Sequence, residues 1–257
     1  MKKKEVVAVR LALIGCMVMN REISHLIAES PHIVRAWWLR QGLHDTPDVL
    51  RTEVQRTIDE IQRENEKLPE TLRFDGILLA YGLCSNGVVG LRSRTLPIVV
   101  PRCDDCISLF LGSAERYRKL FAQLPGVYWY NAGWIEQAFT PSKANYERRR
   151  AEYAEAYGEE NADFLMECNN SWMTNYSHCA YITCPLGDCP EHPAYARQAA
   201  EDFGWQFHEI EGDMTYLDLL VNGPWEEDRF LTCPPGHEII PDFSNRKVGC
   251  APYETDC

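Results

Sequence analysis

Cys16, Cys84 and Cys106 each stand just past a short apolar run, in the stretches ALIGC, LLAYGLC and PIVVPRCDDC. One cysteine in such a place reads as a small buried hydrophobe. Three, at matching places after three runs, read as soft donors brought to one point. Three thiolates suit an iron–sulfur cluster, a 4Fe–4S cluster first, with a tetrahedral zinc or cobalt ion as the alternative, because soft metals prefer sulfur. Such a set leaves one corner open. An iron there could bind substrate as a Lewis acid, whereas zinc or cobalt would take water, a thiol or a methyl acceptor. His44 and His237 are candidate fourth ligands or proton donors. Arg102 could clamp a carboxylate or phosphate through two hydrogen bonds, or pair with Asp104 or Asp105. Asn86-Gly87 marks a tight turn whose main-chain amides can face a ligand. The expected site therefore has Cys16, Cys84 and Cys106 as metal ligands, His44, Arg102 and Asp105 in catalytic roles, and Asn86, Gly87 and His237 against the cofactor.

Other readings of the same residues stay open. Cys103 and Cys106 form a C-x-x-C, which in a redox protein supplies an attacking and a resolving thiol. Asp104 and Asp105 between them oppose this, since nearby negative charge disfavours a thiolate. Cys168, Cys179, Cys184 and Cys189 follow a spacing that fits neither a zinc knuckle nor a ferredoxin run, so a second metal and a loop of incidental thiols are equal alternatives. Cys250 and Cys257 read as surface thiols near the terminus. SNGVVG lacks the lysine of a P-loop, which argues against nucleotide binding. Trp129, Trp134, Trp172 and Trp205 read as core and contact residues before a stacking platform.

Positioning the thiols falls to the apolar runs. Residues 6–14 read as a buried strand, 34–39 as a second, 74–80 as a third and 96–100 as a fourth. Between them lie a helix over about 21–28 and a long amphipathic one opened by Thr46 and Pro47 and running to Lys67. Ser113 caps a further helix, and VYWY at 127–130 is a fifth strand. Helices over 142–159 and 161–175, strands at 179–183 and 205–210, a helix from Pro190 to Gly204, and a strand FLTC at 230–233 continue the theme. Alternation of this kind implies mainly parallel sheets. The expected fold is α/β, two Rossmann-like lobes over 1–138 and 139–257, with the cysteines at the carboxyl ends of the strands, where such sheets form their ligand crevice.

Composition narrows the partners. Twenty-six basic against 38 acidic residues give a net charge of −12, with no extended basic patch, so nucleic acid is not an expected partner. The YERRR cluster at 146–150 reads as a solvated helix face. No apolar run approaches the ~20 residues of a transmembrane helix, and no membrane is expected. The basic start resembles a signal peptide only superficially, because Arg10 interrupts its apolar segment and no A-x-A site follows. An odd count of eleven cysteines in a chain of this length fits thiols or ligands better than a disulfide framework, and a cytoplasmic location. A small-molecule ligand and a homodimer are the remaining expectations.

The motifs YGLC-x-N-G, PR-x-x-DCI-x-L-x-LGS-x-x-RY, PGVYW-x-x-GW and CPPGH resemble, over nearly the whole chain, the family known as domain of unknown function 1638. The resemblance implies a prokaryotic cytoplasmic protein encoded beside corrinoid-dependent methyltransferases, corrinoid proteins and their reductive activators. It implies that Cys16, Cys84 and Cys106 are the recurrent cysteines, with Cys103 and the 168–189 group additions in this chain. The expected task is then to bind or transform a small molecule, or a methyl or corrinoid-related group, in one-carbon metabolism. A corrinoid protein or methyltransferase is the expected macromolecular partner. A metal-binding accessory or chaperone of a corrinoid methyltransferase, and a dithiol redox protein, are the alternatives.

Overall fold

A computed structural model describes residues 7–253. Val6, expected in the first strand, and Cys257 lie outside them. The described residues form eleven strands in chain order: β1 (Arg10–Cys16), β2 (Ile33–Leu39), β3 (Gly76–Ala80), β4 (Arg92–Ser93), β5 (Ile98–Pro101), β6 (Val127–Tyr130), β7 (His178–Ile182), β8 (Gln206–Ile210), β9 (Phe230–Cys233), β10 (His237–Asp242) and β11 (Lys247–Pro252). The helices needed here are α1 (Asn20–Glu29), α2 (Pro47–Lys67) and the single turn α3 (Ile107–Phe110). The fold is α/β with mainly parallel sheets.

The chain forms two compact units, residues 1–116 with 213–257, and residues 117–212. They are not the consecutive segments 1–138 and 139–257 expected from the sequence. The reason is a return of the chain: β9 pairs antiparallel with β5, and the helix Thr215–Asn222 packs on α1 and β3, so everything from Asp213 onward completes the first unit.

In that first unit the main sheet runs β2-β1-β3-β5-β9, its first four strands parallel. β3 and β5 are buried along their whole length and β1 from Leu11 onward, as continuous Leu, Ile and Val runs demand of strands covered on both faces. From β1 the chain passes to β2 on one side and then to β3 on the other. The order reverses between β1 and β3, and a crevice opens outside their carboxyl ends at such a reversal. A smaller antiparallel sheet, β11-β10-β4, accompanies it. Its β10–β11 hairpin is not expected from the sequence.

α2 begins with Pro47 at its first turn and buries Leu50, Val54, Ile58 and Ile61 along one face. Thr46 occupies the capping position in extended conformation, although its hydroxyl makes no capping bond. The second unit has the parallel sheet β6-β7-β8, with the helix Glu191–Phe203 ended by Gly204 in the left-handed conformation. Its core gathers Tyr130, Cys179, Tyr181 and Trp205. Among the described residues no helix is long and apolar enough to cross a membrane.

Candidate functional site: a thiol cluster at the switch point

Cys16 is the last residue of β1, Tyr81 directly follows β3, and Cys106 precedes α3, the turn after β5. Because β1, β3 and β5 are parallel neighbours, all three positions lie at the carboxyl edge of one sheet, as the spacing of the apolar runs implies. The loops are zipped together by main-chain bonds. The Leu83 amide donates to the Cys103 carbonyl at 2.8 Å and the Cys84 amide to the Asp104 carbonyl at 3.2 Å. Gly82 permits this approach: a Cβ there would lie 2.8 Å from the Asp105 carbonyl carbon and 3.0 Å from the Cys106 nitrogen.

The sulfurs of Cys84 and Cys106 are 3.2 Å apart and share a hydrogen bond. Holding Cys84 there strains the backbone. Cys84, Ser85 and Asn86 are three consecutive non-glycine residues with φ of 45°, 55° and 67°. A left-handed conformation costs an L-residue roughly 1–2 kcal/mol, so a run of three persists only where its surroundings enforce it, and such strain concentrates at functional sites. The Gly87 amide closes the turn on the Cys84 carbonyl at 3.0 Å, and Arg51 of α2 grips the loop from outside through the carbonyls of Val89 and Asn86.

Electrostatics set two tendencies against each other. Burial pushes the Cys16 thiol up to about 12, while the Val18 and Met17 amides facing its sulfur pull the other way. The bond with Cys84, then burial, holds Cys106 well above an ordinary thiol, opposed by the Gly82 amide, which donates to its sulfur at 3.4 Å. N–H groups aimed at sulfur stabilise thiolates, and a dry pocket forbids them without a counter-charge. A bound cation would resolve the conflict. Within the fields of these thiols lies the Tyr81 hydroxyl, which is buried and, among the described residues, has no hydrogen-bond partner. It is held protonated by burial and then by the fields of Cys16, Cys106 and Cys84.

As the side chains stand, the described residues contain no group of three or more His, Cys, Asp or Glu gathered closely enough to hold a metal ion. Cys84 and Cys106 form a contact pair, and Cys16 is joined to them through its electrostatic influence on Tyr81 and the influence of Cys106 upon it. Neutral thiols gain nothing by converging further. Soft donors at one sheet edge and a buried phenol without a partner among the described residues match the chemistry of a thiolate-bound soft metal, which would take the place of the bond that Cys84 and Cys106 make to each other.

The remaining expected residues divide. His44, in the turn ahead of α2, lies near enough to Asp105 to favour its ionised form, against a carboxyl that burial pushes upward. Asp105 also accepts from the Ile107 amide at 2.9 Å. These two stand at the edge of the thiol loop. Arg102 does something else: its Nε donates to the Phe230 carbonyl, and its Nη1 donates to the carbonyls of Arg246 and Val248. It is a buried brace between β9 and β11 and does not pair with Asp104, which takes Lys247 at 2.9 Å. Gly87 spends its amide on the turn, and a Cβ there would lie 2.5 Å from Leu50 Cδ2, so it is a packing requirement. Asn86 contributes its carbonyl to the Val89 amide and Arg51. His237 opens β10 in register with Ser93, its Nδ1 3.3 Å from the Pro235 carbonyl.

Residues 38–221 match the model of the family described as protein of unknown function DUF1638. The chain belongs to this family. The matched segment carries Tyr81, Cys84, Cys103 and Cys106, and leaves Cys16 and His237 outside it. No curated protein and no solved structure matches the chain.

Two participants escape the sequence reading. Tyr81 and Gly82 lie inside the LLAYGLC stretch, and the available signal is a tyrosine directly after a buried strand, a residue whose hydroxyl usually finds a partner when buried. Cys103 is buried, with Cys106, Asp105 and Asp104 as its electrostatic neighbours after burial itself. In the second unit Cys179 packs in the core and donates to the Ala196 carbonyl, Cys184 is half-buried, and Cys168 and Cys189 are exposed.

Proposed function

We propose that the chain is a cysteine-ligated metalloprotein of the cytoplasm in which Cys16, Cys84 and Cys106 hold an iron–sulfur cluster with one open coordination position. The observation that carries this reading is the conjunction at one sheet edge of buried thiols, main-chain N–H groups aimed at two of the sulfurs, and a phenol within their fields that has no partner among the described residues. When bound, the cluster supplies an electrophilic iron at its open corner. The chain's own residues do the rest. Tyr81 keeps its proton and is a hydrogen-bond donor inside the pocket, and the strained turn at 84–86 fixes the second thiol. Asp105, whose carboxyl burial pushes upward and the nearby His44 draws down, is the proton-handling group at this edge. The proposed ligand is a small molecule, or a methyl or corrinoid-related group, and the proposed setting is one-carbon metabolism.

Single Cys16→Ser, Cys84→Ser and Cys106→Ser proteins, purified without oxygen, test the ligand set. Each loses bound iron, while Cys168→Ser retains it. Equal iron in all four would reject the assignment.

A second reading rests on the 3.2 Å sulfur separation. Cys84 and Cys106, not the C-x-x-C pair, are the thiols placed to form a disulfide, giving two electrons and two protons to an acceptor. A metal-free protein that yields a Cys84–Cys106 disulfide on mild peroxide treatment would favour it.

A further inference from the structure

Away from the thiols, one face of α2 and the start of β4 enclose an open groove of about 510 Å³ lined by Arg51, Arg56, Arg63 and Arg92 together with Gln55 and Asp59. Four of the chain's 26 basic residues thus line one depression of a protein whose net charge is −12. We infer that this groove binds a phosphate-bearing small molecule.

The groove is built and braced. Gln55 ties α2 to β4 in both directions, donating to the Arg92 carbonyl and accepting from the Arg92 amide, each at 3.0 Å. Two turns on, the buried Gln62 carbonyl oxygen accepts from the Arg94 amide at 2.8 Å and from the Ser93 hydroxyl at 3.1 Å. The main-chain spacing between α2 and Arg92 is therefore fixed before any ligand arrives, which lowers the ordering cost of binding. Gly90, with φ of 86°, lies against the Arg51 side chain, and a Cβ there would meet Arg51 Cδ at 3.5 Å.

The arginines are unequally engaged. Arg51 pairs with Asp48 and the loop carbonyls, and Arg56 pairs with Glu53 and Glu60 on the exposed helix surface. Among the described residues no carboxylate pairs with Arg63 or Arg92, and the Arg92 guanidinium lies over the Tyr253 ring at 4.8 Å. Asp59, the acid in the lining, is occupied by the amides of Gln55 and Gln62. Planar guanidiniums without carboxylate partners match the oxygens of a phosphate, two hydrogen bonds at a time. A volume near 510 Å³ is that of a small-ligand site, and the negative field around it disfavours long polyanions. This inference does not depend on the metal reading.

The test is calorimetric titration of the full chain with inorganic tripolyphosphate at about 0.15 M salt, where loose surface attraction is screened. Saturable binding at one site per chain is expected. Arg63→Gln and Arg92→Gln should each weaken it about tenfold or more, with the far-ultraviolet dichroism unchanged, and Cys84→Ser should leave it intact. Binding that survives both arginine substitutions, or no saturable binding in the wild-type protein, overturns the inference. So does a single-stranded oligonucleotide that binds more tightly than tripolyphosphate, which would make the groove a nucleic-acid surface.

Discussion

The sulfur of Cys84 lies 3.2 Å from that of Cys106 because the loop carrying Cys84 runs left-handed through Ser85 and Asn86. A chain free to relax would not keep three such residues in sequence, and the two zipping bonds from Leu83 and Cys84 hold them. The strain and the sulfur pair belong to one arrangement, and the predictions follow from it.

Relieving the strain should stabilise the metal-free protein. Asn86→Gly removes a left-handed penalty of about 1 kcal/mol and should raise the urea midpoint, with the denaturant slope unchanged. A lowered midpoint would show that the Asn86 side chain contributes more than its backbone costs.

Gly87→Ala should act in the opposite direction. The new methyl meets Leu50 Cδ2 at 2.5 Å and the Cys84 carbonyl at 3.1 Å, and Leu50 is fully buried. A loss of roughly 1–3 kcal/mol is expected from overpacking, with reduced metal content although no ligand has been altered. Full metal content would detach the loop geometry from the site.

Tyr81→Phe removes a buried hydroxyl that has no partner among the described residues. An orphaned polar group of this kind costs about 1–3 kcal/mol, so the metal-free variant should melt a few degrees higher by calorimetry, about 2–4 °C per kcal/mol at this size. The metal-loaded variant should differ from wild type in its visible spectrum. A lower melting point in the metal-free form would mean that the hydroxyl is already satisfied.

The thiols also predict a pH dependence. Cys16, Cys179 and Cys233 are each pushed by burial from 9.0 to about 12. Between those values the unfolded chain releases protons that the native chain keeps, so stability is whole below pH 9 and falls as pH rises toward 12. The slope is up to about 1.4 kcal/mol per pH unit for each thiol. Chemical denaturation from pH 8 to 10.5 should show the decline, less steep in Cys179→Ala. By the same protons, metal affinity should rise with pH, since thiolate ligation releases them.

Much of this architecture is legible in the sequence, and the failures have physical causes. The helix Pro47–Lys67 is readable because proline at its first turn and apolar residues at helical spacing agree. The carboxyl-edge placement of Cys16, Cys84 and Cys106 is readable because buried parallel strands appear as unbroken apolar runs. β9 appears as a strand, but nothing local states that it pairs antiparallel with β5, and that pairing is what returns residues 213–257 to the first unit. β10 contains Pro241, which conceals a strand. Arg102 looks like a ligand clamp because its partners, the carbonyls of Phe230, Arg246 and Val248, lie far along the chain. The orphaned Tyr81 hydroxyl is a property of packing, invisible until the loops are in place.

The most direct measurement is iron and acid-labile sulfide analysis, with a visible spectrum, on protein purified without oxygen and without added metal. The account predicts a brown protein with iron and sulfide in near-equal amounts, both lost in Cys84→Ser. A colourless protein holding a single zinc or cobalt ion, or no metal at all, would contradict the cluster.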